Sequence, residues 1–132
     1  MRIDVVTIFP DYLRALDLSL IGKAIDAGKL QLGIHDLRDW TQDRHNTVDD
    51  TPAGGGAGMV MRPDVGGKGL YHVLALPLTA APSAETAPHG AQEPLHRRVL
   101  VIPTPSGQVF TQRVAEELAD ADQLVFACGR YE

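Results

Sequence analysis

Residues 43–59 read Asp-Arg-His-Asn-Thr-Val-Asp-Asp-Thr-Pro-Ala-Gly-Gly-Gly-Ala-Gly-Met and carry the densest chemistry in the chain. Arg44 and His45 offer donors that grip phosphates and base edges, and the carboxylates Asp49 and Asp50 accept from exchangeable protons. Gly54, Gly55, Gly56 and Gly58 follow within five positions. Glycine contributes no side chain to a core and loses the most freedom on folding. Such a run therefore marks backbone that turns with positive φ or lies close to another molecule. A glycine-hinged loop carrying both charge signs is expected to face a substrate. A plain surface turn would account for one or two glycines and leave the charged pairs unexplained.

The loop is not a known phosphate cradle. A Walker loop ends in Gly-Lys-Ser/Thr, whereas Gly67-Lys68 is followed by Gly69 and the first-glycine position holds Arg62. A dinucleotide fingerprint needs a glycine three residues after Gly56, where Met59 stands.

The elements that must position this loop alternate in type. Ile3, Val5, Val6, Ile8 and Phe9 predict a buried strand stopped by Pro10. Helical spacing runs from Tyr12 to Leu20 and from Ile21 to Ala27, with Gly28 as its stop. Leu30, Leu32 and Ile34 alternate as a second strand that leads into His35-Asp36-Leu37-Arg38. Pro63 and Asp64 open another helix, buried through Leu70, Val73 and Leu74, although Gly66, Gly67 and Gly69 weaken its start. Val99 to Ile102 form a third buried strand. Thr111 caps a helix with Val114 and Leu118 inward and Glu116 and Glu117 outward. Leu124 to Ala127 form a fourth strand. Strands alternating with helices predict an α/β fold with a mostly parallel sheet and flanking helices. Ligands bind such sheets beyond the carboxyl ends of the strands, which is where residues 103–107 and 128–132 fall. Leu37 and Trp40 are expected to pack.

Residues 77–95 contain hardly any large apolar side chain and are expected to form a flexible insertion. No closing helix follows the last strand, so the chain is expected to be the N-terminal portion of a longer protein.

At 132 residues with a formal charge of −5, the chain is sized for one domain and has no global basic field. A nucleic-acid partner would need a local contact surface. The single cysteine, Cys128, excludes an internal disulfide and fits a reducing cytoplasm. The five histidines are scattered without zinc spacing, so no metal is expected. No apolar run approaches membrane-spanning length, and the acid at Asp4 argues against a signal peptide. Cys128 alone reads as a small apolar residue, and Arg97-Arg98 as solubilising charges.

The series Ile8-Phe9-Pro10, Gly22-Lys23-Ala24, His35-Asp36-Leu37-Arg38, residues 43–59 and Cys128-Gly129-Arg130-Tyr131-Glu132 resembles the bacterial tRNA (guanine-N1)-methyltransferases, knotted enzymes of the SPOUT superfamily. The resemblance covers the chain apart from residues 77–98. It implies a truncated SPOUT-type trefoil-knot domain, S-adenosylmethionine as methyl donor, tRNA as substrate, a homodimer, and a cytoplasmic enzyme that methylates the guanine 3′ of the anticodon to guard the reading frame. It assigns Pro103, Thr104, Pro105 and Gly107 to one cofactor loop, and Cys128, Gly129, Arg130, Tyr131 and Glu132 to the other. Arg44, His45, Asp49, Asp50, Gly54, Gly55, Gly56 and Gly58 fall to the RNA side. The catalytic residue is not identified here, since the resemblance places the general base beyond Glu132 and the tRNA-binding domain outside the chain. Ala53 and Ala57 stand where the family more often has aromatic and proline residues, which implies a less stiff loop.

Two rival readings come from other classes. One is a non-catalytic S-adenosylmethionine- or nucleotide-binding module that acts by binding RNA or protein. The other is a flavodoxin-like mononucleotide domain, which lacks its phosphate loop after the first strand. Read alone, Gly129 is a turn glycine, Arg130 with Glu132 a solvated pair, and His45 a surface histidine.

Overall fold

The structure, a computed structural model, describes residues 1–76, 78 and 97–129. Four strands pair in parallel: β1 (Arg2–Thr7), β2 (Gln31–Asp36), β5 (Arg98–Val101) and β6 (Gln123–Ala127), in the order β2-β1-β6-β5. The register sets Val5 beside Ile34 and Phe126, and Val101 beside Phe126. All four carboxyl ends therefore open on one edge. Two further strands, β3 (Asp49–Asp50) and β4 (Val60–Met61), form a separate antiparallel pair. The helices are α1 (Ser19–Asp26), α2 (Pro63–Ala75) and α3 (Gln112–Ala119), with 3-10 helices at Pro10–Asp17 and Leu37–Trp40.

The core joins sheet, α2 and loop. Val6 and Val125 from the sheet meet Val65 and Val73 from α2, together with Ile8, Leu37 and Val48. Trp40, Met61, Leu70 and Leu74 pack against this cluster, so the packing expected of Leu37 and Trp40 is present. Gly69 belongs to the same contact. A Cβ there would stand 2.8 Å from Trp40 Cε3, so the helix gives up a side chain to let the indole approach. The glycines that weaken α2 as a sequence thus include one that its packing requires.

The direction of α2 decides where the charged loop goes. The Val73 carbonyl accepts from Gln123 Nε2 at 3.5 Å, and the Leu74 carbonyl accepts from the Arg98 guanidinium. Gln123 and Arg98 are the first residues of β6 and β5, so α2 ends at the amino edge of the sheet. Thirteen residues rise about 20 Å, roughly the height of these strands, which puts its start at the carboxyl edge. Arg98 is therefore a strut holding a last-turn carbonyl rather than a solubilising charge.

Beside that strut lies a buried polar cluster. Asp4 is fully buried in β1 and accepts from Arg2 Nε (2.7 Å), Arg2 Nη2 (2.9 Å), His35 Nε2 (2.8 Å) and Gln123 Nε2 (2.7 Å). Burial alone would raise this carboxyl, but the hydrogen bonds from His35, Arg2 and Gln123, with the Arg2 charge, hold it well below the usual carboxylate range. Three neighbouring strands are tied through one carboxylate.

Several expectations need correction. The two helical stretches expected at Tyr12 to Leu20 and Ile21 to Ala27 divide earlier, where Leu18 is extended and Ser19 takes φ 57°, and the first is a 3-10 helix. The third strand is not buried as expected: Leu100 is exposed and Ile102 is 60 % exposed just past its end. α3 starts as expected, with Thr111 Oγ1 accepting from the Val114 amide at 3.4 Å, yet none of its residues is fully buried. The flexible insertion expected at residues 77–95 lies outside the described residues, save for Leu78.

Candidate functional site

Residues 103–107 leave β5 as a tight turn. The Gly107 amide donates to the Thr104 carbonyl at 3.1 Å, and the Ser106 amide donates to Thr104 Oγ1 at 3.3 Å. A Cβ on Gly107 would stand 3.1 Å from that carbonyl and 3.3 Å from Thr104 Cγ2, so any larger residue would push the turn open by a few tenths of an ångström. Because β5 and β6 are adjacent and parallel, Cys128 and Gly129 emerge beside this turn. The Cys128 amide donates to the Val6 carbonyl at 2.9 Å, which continues the ladder toward β1. Burial raises the Cys128 thiol, so it stays protonated and serves as a half-buried neutral group rather than a nucleophile. Arg130, Tyr131 and Glu132 lie outside the described residues.

Between this turn and α3 lies a cavity of ≈ 860 Å³, lined mainly by apolar side chains including Ile102, Phe110 and Phe126, with Pro103, Thr104 and Gly107 at its rim. Small-molecule sites occupy about 300–1,000 Å³ and are mostly apolar with a few placed polar groups. A second cavity, ≈ 880 Å³, opens at the ends of β1 and β2 between Phe9, Tyr12, Asp36, Arg38 and Cys128. Arg38 is pinned there by its guanidinium donating to the Ile8 carbonyl at 2.6 Å, while Asp36 Oδ1 accepts from its amide at 3.0 Å.

The charged loop is built as a turn on a clamp. The Asn46 amide donates to the Asp43 carbonyl at 3.1 Å, and Asn46 sits at φ 51°. Asparagine tolerates that left-handed conformation better than most residues. The Asp43 carboxylate accepts from the Thr47 hydroxyl (2.7 Å), the Thr47 amide (3.0 Å) and the His45 amide (3.2 Å). These bonds, the Thr47 hydroxyl first, hold Asp43 below the ordinary carboxylate range. Arg44 and His45 occupy the two central positions of this turn and are exposed.

Behind the turn, Val48 is buried in the core and its carbonyl accepts from the Arg62 amide at 2.8 Å. Asp49 and Asp50 then pair with Met61 and Val60, closing the neck of the glycine loop. Gly54, Gly55 and Gly58 take φ of 95°, 76° and 100°, as a glycine hinge predicts. A Cβ at any of these, or at Gly56, would meet nothing within 4 Å, so packing does not explain the run. Residues 43–62 thus stand on the carboxyl edge, where α2 begins and where the 103–107 turn and Cys128 also emerge.

Neither the β3–β4 clamp nor Asp43, Thr47 and Arg62 was singled out from the sequence. The signal for Asp43 was its spacing to Thr47, since Asp side chains bond backbone amides just downstream. Among the described residues, no group of three His, Cys, Asp or Glu is placed to hold a metal, and no helix is long and apolar enough to cross a membrane.

The class of the protein is thus a parallel α/β fold that sets an apolar cavity and a charged, glycine-hinged loop at one edge of its sheet. Comparison with known proteins gives the family. Residues 1–132 match the family described as tRNA (Guanine-1)-methyltransferase TrmD, and the chain belongs to it. Among curated relatives, a tRNA (guanine-N(1)-)-methyltransferase of Renibacterium salmoninarum is 55% identical over 132 residues, all of this chain and 44% of the relative. Those of Leifsonia xyli subsp. xyli and Bifidobacterium longum are 52% and 51% identical over the whole chain, which covers 50% and 45% of their lengths. The chain spans about half the length of the curated relatives it matches.

Proposed function

We propose that the full-length protein transfers a methyl group to ring N1 of the guanine 3′ of the anticodon in tRNA, using S-adenosylmethionine. The observation that carries this reading is the single strand edge shared by the 103–107 turn, Cys128 and the 43–62 loop, in a chain of this family. When bound, the donor supplies an electrophilic methyl on a sulfonium. Pro103, Thr104, Pro105, Gly107, Cys128 and Gly129 would hold it, with Arg130, Tyr131 and Glu132 completing the second loop. The glycine-closed turn and the apolar cavity of ≈ 860 Å³ beside it fit an adenosyl group.

The acceptor side falls to the charged loop. Arg44 and His45 are exposed donors for phosphates or base edges, and Asp49 and Asp50 are carboxylate acceptors for RNA contacts. Gly54, Gly55, Gly56 and Gly58 let the loop adjust against the anticodon stem. Guanine N1 is protonated at neutral pH, so transfer needs a base as well as in-line placement of donor and acceptor. That base is assigned outside residues 1–132. A trefoil knot, a homodimer with shared sites and a cytoplasmic location belong to the same reading.

The test is single-turnover transfer of labelled methyl by the full-length protein to tRNA transcripts carrying guanine or adenine 3′ of the anticodon. Transfer to the guanine transcript alone, mapped to N1, is expected. Tight binding of S-adenosylhomocysteine with no transfer to either transcript would favour the binding-module reading instead.

A further inference from the structure

Arg44 and His45 are exposed, and the turn that carries them is bonded through its flanking residues Asp43, Asn46 and Thr47. The Asp43 side chain accepts three kinds of donor, from His45 and from both groups of Thr47. The Asp43 carbonyl closes the turn by accepting from the Asn46 amide. Thr41 adds a brace from the other side: its hydroxyl lies 2.6 Å from the Arg38 carbonyl and 3.0 Å from Asn46 Oδ1. Arg62, at the start of α2, lies against the turn. Its Nη1 lies 3.5 Å from the Thr47 carbonyl and 3.7 Å from Asp43 Oδ1, while Nε and Nη2 donate to Asp64 at 3.1 and 2.7 Å.

A surface turn needs no such scaffold for stability alone. Its groups are solvated, and exposed ion pairs contribute little. What the scaffold does is fix the backbone from which Arg44 and His45 project, so less backbone ordering is lost when they meet a partner. We infer that Asp43, with Thr47 and Arg62, is a positioning unit that presents Arg44 and His45 to the RNA. In this role Asp43 acts through the turn, with its carboxylate accepting from Thr47 and His45.

The inference rests on the reading of the 43–58 loop as the RNA side, and the experiment separates the two. Four forms of the full-length protein are compared: wild type, Asp43→Asn, the Arg44→Ala/His45→Ala pair, and the triple variant. Asparagine keeps the shape but places an amide where an acceptor must be. Loss of one or two hydrogen bonds and of alignment should lower kcat/KM for tRNA about tenfold. Affinity for S-adenosylhomocysteine should stay within about twofold, which also shows that the variant folds. In the Arg44→Ala/His45→Ala background, Asp43→Asn should add less than about a twofold loss, because nothing is left to position. Thr47→Val should repeat the effect in weaker form, and Thr47→Ser should restore it. Should Asp43→Asn not fold, the Thr47 pair is read in its place.

Full additivity of the Asp43 and Arg44/His45 effects would overturn the positioning role while leaving the RNA-side reading intact. An Arg44→Ala/His45→Ala pair that methylates tRNA like wild type would overturn the RNA-side reading, and this inference with it.

Discussion

Asp4→Ala should loosen the sheet far from any ligand, and the structure sets the size of the effect. Asp4 is fully buried and receives four hydrogen bonds from Arg2, His35 and Gln123. Removing it leaves Arg2 without its ionic partner and the buried Gln123 amide with only the 3.5 Å contact to the Val73 carbonyl. Gln123 Oε1 already lacks a hydrogen-bond partner among the described residues. Breaking a buried ion pair typically costs about 3–5 kcal/mol. Arg2 and His35 retain roughly a fifth of their side-chain exposure, so water relieves part of the loss and the low end, about 3 kcal/mol, is expected. Native-state amide exchange on β1 and β6 peptides should then quicken about a hundredfold at neutral pH, at 1.4 kcal/mol per decade. The sign of the pH dependence follows from the lowered Asp4 pKa. Its stabilisation is fully present above the unfolded carboxylate value of about 3.9 and is lost as pH falls below it toward the lower folded value. The variant should lack that acid-side loss. Exchange within threefold of wild type, or an unchanged acid limb, would refute this account of the cluster.

Gly69→Ala gains about 1 kcal/mol of helix propensity but sets a methyl 2.8 Å from the Trp40 ring. Overpacking of about 1–3 kcal/mol should win, read as lower stability and shifted emission from the only tryptophan in the chain. Thr111→Ala removes a cap bond of 3.4 Å and should cost about 0.5–1 kcal/mol, seen as faster exchange at Val114 and Ala115. Residues 1–132 alone, given donor and tRNA, should transfer methyl at least about a hundredfold more slowly than the full-length protein, since a general base contributes at least that much. Comparable rates would place the base within this chain.

The parallel sheet was legible because β-branched runs and helical spacing alternate along the chain. The hinge at Gly54, Gly55 and Gly58 was legible because glycine has few uses besides a special φ. Other features depend on partners that local pattern does not show. Asp4 is visible as an acid inside an apolar run, but His35 and Gln123 stand 31 and 119 residues away. The β3–β4 clamp pairs two residues with two, too few for a period to register. The break at Leu18 and Ser19 falls inside apolar spacing that runs on to Leu20. Gly69 looked like a helix weakener because its reason, the Trp40 ring, comes from another element. On the site, the strand-end loops followed from topology, whereas the Asp43 scaffold required the fold of the turn itself.

The central claim is that one strand edge is divided between a donor side and an RNA side. The most direct measurement is titration of S-adenosylhomocysteine into the full-length protein carrying either Gly107→Val or Arg44→Ala. A β-branched side chain at Gly107 crowds the Thr104 carbonyl, 3.1 Å from its Cβ, and Thr104 Cγ2, 3.3 Å away, so the turn should shift against the donor and affinity should fall about tenfold, about 1.4 kcal/mol. Arg44→Ala should leave that affinity unchanged while its tRNA methylation drops. Equal donor affinity in the two variants, or a loss confined to Arg44→Ala, would contradict the division.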